Sequence, residues 1–308
     1  MPYRLGYACI NATLRKNHKI RANRRAIKKT YEEKGLPHIG ALIEQNLNDL
    51  HKILEWNVAN NIRVFRMSSD VTPWASEYEW SDLPNHQEVM RLFRKCGQYA
   101  IDNDIRLSFH PGQFCVLASS KEHVIQNAIS DLELHGRLMD ALLQPRSHLA
   151  KINIHLGGAY GDKQEAAQTF CQNFTRLSDA VKSRLTVEND DRTNLFSTKE
   201  LYDYVYTNTG IPIVFDFHHH AIHPDGLSEQ AGLALAFKTW RVRPCTHYSE
   251  SRQIERGPEA LLRAHSTLVY SEIQDHGMDF DCVVEAKGKE LAILHHRRKY
   301  PNSAESLA

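Results

Sequence analysis

The chain lacks several features that would assign it to a protein class at once. Its six cysteines are scattered without a CxxC pair, which argues against a disulfide framework or a thiolate zinc site and for reduced thiols in the cytoplasm. No apolar run is long enough to cross a bilayer, and we find no apolar signal segment at the N-terminus. The net charge is only +1, so binding to nucleic acid would require a local basic patch.

Internal repeats, low-complexity blocks and interdomain linkers are also missing from the sequence. We therefore expect one domain over residues 1–308, with a loosely packed tail from about residue 295. The composition, with 42% hydrophobic and 24% charged residues, is that of a globular protein.

Short apolar segments alternate with longer segments of helical periodicity along nearly the whole chain. Eight strands with helices between them predict an α/β fold, namely a single (β/α)8 barrel of the TIM type. The expected strands span residues 3–8, 63–67, 105–109, 151–154, 185–187, 211–215, 246–248 and 282–284. The expected helices span residues 42–60, 87–102, 122–143, 165–181, 198–207, 229–238 and 257–276, and a closing helix follows residue 287.

The ends of the predicted strands are chemically unlike their interiors. From the third strand to the eighth, each strand carries a histidine or a carboxylate at or near its C-terminal end. These residues are His110, His155, Glu188, Asp216, His219, His247 and Glu285. In a (β/α)8 barrel those strand ends converge on the face that holds active sites. A single strand-end histidine commonly contacts a backbone carbonyl, but six consecutive strands predict one shared site.

The seven residues offer imidazole and carboxylate ligands without sulfur, which favours zinc, manganese or iron over calcium. Asp216 and His219 are three residues apart, so both can turn toward one divalent cation, although a solvated histidine-rich loop is the alternative for that segment alone. Because seven ligands exceed what one ion needs, we expect two or three ions. Closely spaced metals act on both the attacking and the leaving oxygen of a phosphate displacement.

The segment that follows the first strand is strongly basic. Residues 15–29 contain no acidic side chain and eight basic ones, namely Arg15, Lys16, Lys19, Arg21, Arg24, Arg25, Lys28 and Lys29. We expect this segment on the same barrel face as the metal ligands, in contact with the phosphates of DNA. A solvated charged surface is the alternative, although such surfaces normally mix both signs.

Taken in chain order, these motifs resemble the UV damage endonuclease family, whose members are metal-dependent barrels related in fold to apurinic endonucleases and xylose isomerases. The resemblance extends from Arg4 to about Glu290. Its landmarks are LGYACIN at 5–11, FRMSSDVTPWAS at 65–76, FHPGQF at 109–114, HLGGAYGDK at 155–163, VENDDR at 187–192, FDFHHHAIHP at 215–224 and VEAKGKE at 284–290. It implies an enzyme that nicks DNA on the 5′ side of cyclobutane dimers and 6-4 photoproducts, leaving a 3′-hydroxyl and a 5′-phosphate.

The resemblance also implies roles for individual residues. It adds His265 to the seven strand-end ligands and assigns the chemistry to Glu188, Asp216, His247 and Glu285. The expected cofactor is a cluster of two or three divalent ions, with manganese first and magnesium, cobalt or zinc as alternatives.

Four further residues match positions that contact DNA in the family. Gln113 and Phe114 match the pair inserted where damaged nucleotides are flipped out, since an aromatic ring can replace lost stacking. A polar turn residue beside a half-buried ring is the alternative for this pair. Tyr7 and Asn11 match positions that touch the extruded lesion, although Tyr7 would equally suit barrel packing.

The chain departs from the family pattern at two positions. Asp70 stands where some members have a histidine, so the sequence does not decide whether the second strand supplies a ligand. Cys245 stands where some members carry a modified lysine, so that modification cannot occur at this position.

These features predict a monomeric, cytoplasmic enzyme, nucleoid-associated in a prokaryote, that acts on double-stranded DNA with UV lesions by metal-assisted phosphodiester hydrolysis. The alternatives are a metal-dependent sugar isomerase or epimerase, an apurinic-site endonuclease, and a non-catalytic DNA-binding module. A sugar isomerase needs neither a basic groove of duplex size nor an exposed Gln–Phe pair. The redundant metal ligands disfavour a module that only binds.

Overall fold

Eight parallel strands form the centre of the molecule. The structure is a computed structural model and describes residues 3–301. Within that range the strands are β1 (Tyr3–Ala8), β2 (Val64–Arg66), β3 (Arg106–Ser108), β4 (Ile152–His155), β5 (Leu185–Glu188), β6 (Ile213–Val214), β7 (Cys245–Tyr248) and β8 (Phe280–Val284). All eight predicted strands are present. Every residue of β5, β7 and β8 is buried, as expected for parallel strands that are covered on both faces.

The strands close into a barrel. Hydrogen bonds link five of them in the order β3-β2-β1-β8-β7 and the other three in the order β4-β5-β6. Parallel bridges join the two groups on both sides, between Phe109 and Ile152 and between Asp216 and His247. The predicted (β/α)8 barrel is therefore confirmed, and the C-terminal ends of all its strands lie on one face.

Helices surround the barrel. In chain order they are α1 (Ala12–His18), α2 (Lys28–Ala59), α3 (His86–Asp102), α4 (Glu122–Ala141), α5 (Lys163–Phe174), α6 (Asp179–Lys182), α7 (Thr198–Leu201), α8 (Thr207–Thr209), α9 (Phe217–Ile222), α10 (Glu229–Phe237), α11 (Gln253–Arg256) and α12 (Glu290–Lys299). A π-helical turn at Tyr202–Tyr206 connects α7 to α8. On α3 the buried residues Val89, Leu92, Phe93 and Cys96 recur every three or four positions, so one face packs inward. Within residues 3–301 no helix is both long and apolar enough to span a membrane.

The predicted helix at residues 257–276 is wrong, because this segment is irregular. Two glutamates that precede it accept hydrogen bonds from its backbone amides. Glu255 accepts from Thr267 at 2.6 Å, and Glu250 accepts from Tyr270 at 2.6 Å. Since side-chain carboxylates satisfy these amides, the segment does not need the internal hydrogen bonds of a helix.

The segment after β1, one other predicted helix and the C-terminal tail also differ from expectation. Residues 15–29 are not one loop, because α1 ends at His18 and α2 begins at Lys28 and bends at Gly35, where φ is +59°. The helix predicted at residues 165–181 is divided into α5 and α6. The expected tail from about residue 295 is helical as far as Lys299, and residues 302–308 lie outside the described residues.

An ion cluster fills the N-terminal end of the barrel. Asp281 in β8 is fully buried and pairs with Arg4, Arg106 and Arg243 at 2.7, 3.0 and 2.9 Å. Burial would raise the pKa of Asp281, but the hydrogen bond from Arg4 and the charges of Arg106 and Arg4 hold it below its usual value. This end of the barrel therefore contributes to stability, and the opposite face is available for chemistry.

Candidate metal centre and active site

One carboxylate lies at the centre of the C-terminal face of the barrel. Glu188, at the end of β5, is 1% exposed and is surrounded by four imidazoles from β4, β7, α9 and the loop after β3. The rings of His247, His110, His219 and His155 place a nitrogen 2.9, 3.2, 3.5 and 4.0 Å from its oxygens. The structure thus brings together side chains that are far apart in the sequence.

The other three proposed ligands extend this group. Asp216 caps α9, because its Oδ1 accepts a hydrogen bond from the amide of His219 at 2.7 Å. Oε1 of Glu285 lies 3.3 Å from Nδ1 of His247, and Oε2 of Glu285 lies 4.0 Å from Nδ1 of His265. Three overlapping triplets could each hold one metal ion, namely His110–Glu188–His247, Glu188–Asp216–His219 and Asp216–His247–Glu285.

The donor atoms are in the state expected of metal ligands. Within residues 3–301, Oδ2 of Asp216 and Nδ1 of His247 are buried and have no hydrogen-bond partner. Nδ1 of His247 lies 2.9 Å from an oxygen of Glu188, but the two atoms do not have the geometry of a hydrogen bond. Two ligands of one cation approach each other in this way. A buried carboxylate oxygen without a partner costs free energy, which a bound divalent cation would offset. The residues therefore fit divalent metal ions.

Protonated histidines offset the negative charge of the carboxylates. Burial would lower the pKa of His155, but the charge of Glu188 and the hydrogen bond and charge of Asp190 together raise the pKa to about 10. His219 behaves in the same way, since Asp216 and Glu188 raise its pKa to about 9. Burial would raise the pKa of Glu188, but the surrounding imidazoles hold it well below its usual value. For Asp216 burial prevails and raises the pKa to about 7.

Comparison with known proteins identifies the family. The sequence model of the family described as UV-endonuclease UvdE matches residues 3–305. The chain belongs to this family. The resemblance inferred from the motifs is therefore confirmed.

The relatives of the UvdE family extend this finding. The UV DNA damage endonuclease of Clostridium perfringens is 34% identical over 301 residues, which is 94% of this chain and 69% of the relative. The crystal structure of SacUVDE has a TM-score of 0.83 at 30% identity, covering 98% of this chain and 99% of that chain. Endonuclease IV from Thermus thermophilus covers 97% of this chain and 98% of its own, with a TM-score of 0.58 at 14% identity, and this shows a likeness of fold alone.

Three polar residues beside the ligands were missed in the sequence. Arg66, at the end of β2, pairs with Oε1 of Glu285. Asn153 in β4 donates a hydrogen bond to Glu188, and Oδ1 of Asp190 lies 3.1 Å from Nδ1 of His155. The signal for Arg66 was its place at a strand end, the same as for the histidines. An arginine cannot bind a cation, so a pattern of metal ligands does not include it.

Lys151 is a fourth residue that the sequence did not single out. It directly precedes β4, is fully buried, and places Nζ 2.8 Å from Nε2 of His247. Burial lowers the pKa of Lys151 to about 8. Burial also lowers the pKa of His247 to about 3, against the charge of Glu188, so the ring is neutral as a ligand must be. Cys245 stands where the resemblance implied a modified lysine in some members, and in this chain the amine of Lys151, just before β4, contacts His247 instead.

Only one of the four histidines at 218–223 belongs to the cluster. His219 faces Glu188, whereas His218 is buried with its ring 5.6 Å from that of His265. His220 packs with its ring 4.8 Å from that of Phe215. The alternative of a solvated loop is wrong, because the segment forms α9 and three of its four histidines are buried.

A pocket of 660 Å³ opens above the ligand cluster. Its lining includes His110, His155, His219, Glu285 and Gln113. Phe114, next to Gln113, is 82% exposed. Single exposed apolar side chains are common, so its place in the chain between the pocket-lining residues Gln113 and Cys115, more than its exposure, makes Phe114 a candidate for contact with bases.

Tyr7 and Asn11 do not reach this pocket. The Tyr7 hydroxyl donates a hydrogen bond to Oδ1 of Asn57 at 2.7 Å and accepts one from Nδ2 of Asn11 at 2.9 Å. Oδ1 of Asn11 accepts from the amide of Leu14 at 2.8 Å and so caps α1. Both side chains are buried, so neither exposes a surface in this structure that an extruded lesion could contact. Tyr7 is packed in the barrel core, which was the alternative for this residue.

The eight basic residues of segment 15–29 fall into two groups. Arg24 pairs with Asp49 at 2.7 Å, and Arg25 pairs with Asp70. This pair gives Asp70 a role other than metal binding, and Asp70 belongs to none of the three ligand triplets. Lys28 and Lys29 each lie 3.8 Å from a glutamate one turn later on α2. The remaining four are exposed and have no ion pair within residues 3–301, namely Arg15, Lys16, Lys19 and Arg21.

Proposed function

We propose that the protein is a DNA repair endonuclease that cuts the strand carrying a UV photoproduct by metal-assisted hydrolysis of a phosphodiester bond. The observation that carries this proposal is the set of overlapping ligand triplets, which share Glu188, Asp216 and His247, in a member of the UvdE family. Relatives in that family are UV DNA damage endonucleases. We further propose that residues 1–308 act as one domain.

The finer details of the reaction belong to the same proposal. The cut falls on the 5′ side of cyclobutane dimers and 6-4 photoproducts and leaves a 3′-hydroxyl and a 5′-phosphate. Two or three ions, manganese by preference, occupy the cluster formed by His110, His155, Glu188, Asp216, His219, His247, His265 and Glu285. Divalent cations held there would activate water and offset the charge that develops on the phosphate oxygens.

Side chains around the ligands hold them in place. Arg66 donates to Glu285, and Asn153 donates to Glu188, so each carboxylate is oriented by a neighbour. Nζ of Lys151 contacts Nε2 of His247, and Nδ1 beside Glu188 would be free to bind a metal when Nε2 carries the proton and donates it to a neutral Lys151 amine. Such supporting partners typically contribute 10–100-fold to metal affinity or activity.

Recognition of damage would depend on how easily the nucleotides leave the helix. A photoproduct stacks and pairs poorly, so extruding it costs less free energy than extruding normal bases. Gln113, which lines the pocket, and the exposed Phe114 next to it in the chain would fill the gap in the duplex. The phenyl ring would replace stacking, and the amide would pair with bases left without partners.

The test is nicking of supercoiled plasmid with manganese, before and after irradiation. The wild-type protein should nick irradiated plasmid selectively, and the product should support DNA polymerase extension without treatment of its 3′ end. Glu285→Gln should abolish nicking in a folded protein. Glu259→Gln, an exposed change of the same charge, is the matched control and should behave as the wild type. Near-wild-type nicking by Glu285→Gln would remove the metal-hydrolase proposal, and nicking confined to depurinated plasmid would favour the apurinic-site alternative.

A further inference from the structure

Four basic side chains, two of them from segment 15–29, lie together near the ligand cluster. Arg15 and Lys16 on α1 and Lys287 and Lys289 in the segment between β8 and α12 line a single pocket of 410 Å³, which we call the cation pocket. Its two sides follow the C-terminal ends of β1 and β8, the strands where the barrel closes. The pocket is therefore on the same face as the metal ligands, and Lys287 is two residues from Glu285.

The four cations of the pocket lack carboxylate partners. None of them forms an ion pair within residues 3–301, in contrast to Arg24 and Arg25, which pair with Asp49 and Asp70. Lys289 is only partly exposed, and burial lowers its pKa. A partly buried ammonium group without a partner is unfavourable, so the pocket is prepared for an anion that comes from outside the protein.

Both sides of the cation pocket are held rigidly. Glu290 is fully buried, and its two carboxylate oxygens accept hydrogen bonds from the amides of Ala12 and Thr13 at 2.8 and 2.7 Å. This contact fixes α1 to the start of α12. On the other side the amide of Gly288 donates to the carbonyl of Thr267 at 2.8 Å, and a Cβ at position 288 would lie 2.6 Å from that oxygen. The separation of the two pairs of cations is therefore set by the fold.

We propose that the cation pocket binds the phosphodiester backbone of the DNA substrate adjacent to the phosphate that is cut. The inference rests on the proposed function, which supplies DNA as the ligand. Cations without counterions are suited to phosphate, and contacts to phosphate fix the register of the strand without reading its bases. Lys287 and Lys289 then hold the strand next to the metal ligand Glu285.

The test compares two charge-matched double variants. Lys287→Gln with Lys289→Gln removes two cations from the pocket, whereas Arg94→Gln with Lys95→Gln removes two exposed cations from the outer helix α3. Affinity for intact and irradiated duplex is measured over a series of salt concentrations. The slope of log affinity against log salt should become shallower by about 0.9 for each pocket lysine that contacts a phosphate, equally on both duplexes. The α3 variant should keep the wild-type slope.

The thermal unfolding midpoint shows whether the pocket variant is folded, which matters because Lys289 has a left-handed backbone with φ of +56°. If it does not fold, Arg15→Gln with Lys16→Gln tests the opposite side of the pocket by the same slope. Slopes unchanged from wild type, or changed equally in the α3 control, would overturn the cation pocket. In that case, selective nicking of irradiated plasmid by the wild type would leave the proposed function intact. A wild-type protein that neither binds duplex nor nicks it would overturn both.

Discussion

Replacing Glu188 by Gln is the sharpest test of the proposed metal centre. The change keeps the shape of the side chain but removes the carboxylate that two of the three ligand triplets share. Four imidazole nitrogens lie within 4.0 Å of that carboxylate, so its loss affects four of the proposed ligands at once. Loss of a residue that only orients a ligand costs roughly 10–100-fold. Loss of a shared ligand should cost more than about 100-fold in nicking, or about 2.7 kcal/mol of transition-state stabilisation.

The assay combines activity with metal content. Single-turnover nicking of irradiated plasmid gives the rate, and elemental analysis after gel filtration gives the number of ions bound per chain. Glu188→Gln should lose the nicking rate and part of the bound metal, because the two triplets that contain Glu188 are incomplete without it, whereas the triplet Asp216–His247–Glu285 is unchanged. Glu88→Gln is the control, since it removes a carboxylate that pairs with Arg91 on the surface of α3, and it should lose neither.

Two results would refute the reasoning. A Glu188→Gln variant with full metal content and a rate within about tenfold of the wild type would show that this carboxylate is not a ligand. Full metal content with a lost rate would assign Glu188 to proton transfer or substrate contact instead. In either case the ions would be held by the triplet Asp216–His247–Glu285 and its neighbours.

Three further predictions concern DNA contact, helix α1 and metal loading. Gln113→Ala with Phe114→Ala should weaken binding to irradiated duplex about tenfold or more, since base–aromatic stacking contributes roughly 1–3 kcal/mol, and equal losses on intact duplex in the same titration would contradict this. Glu290→Gln leaves one buried amide of α1 without an acceptor and should lower the free energy of unfolding by about 1–3 kcal/mol, so an unchanged denaturant midpoint would show that this contact does not stabilise α1. His155 and His219, with pKa raised to about 10 and about 9, carry protons at neutral pH and bind metal only as neutral rings. Metal loading there should release about two protons, seen by calorimetry in buffers of different ionisation enthalpy, and heats independent of buffer would contradict this.

The strand-end residues of the site could be predicted because their signal is local. A short apolar run followed by a histidine or carboxylate marks where a buried strand reaches the open face, as at His155 and Glu188. His265 has no such signal, since it lies in the irregular segment whose course is set by Glu250 and Glu255. Only the family resemblance pointed to it, and the structure places it 4.0 Å from Glu285.

The basic segment shows where sequence reasoning fails for charge. Eight cations in 15 residues look like one patch, but Arg24 and Arg25 are paired with carboxylates that lie 25 and 45 residues away in the chain. Lys287 and Lys289 show the opposite failure. They are 270 residues or more from Arg15 and Lys16 in sequence, and only the closure of β1 against β8 brings the four together. Long-range pairing decides which charges face a ligand.

The bond between Glu290 and helix α1 has a consequence for how the protein is made. The two partners are 278 residues apart, so α1 leaves the ribosome long before the carboxylate that holds its first turn exists. Glu285 lies five residues before Glu290, in the same stretch of the chain, and is synthesised together with it. A nascent chain that stops short of this stretch therefore has neither its proposed grip on the DNA backbone nor its last strand-end ligand. A chain interrupted before Lys287 would therefore lack Glu285's neighbouring cations and the Glu290 contact that holds α1.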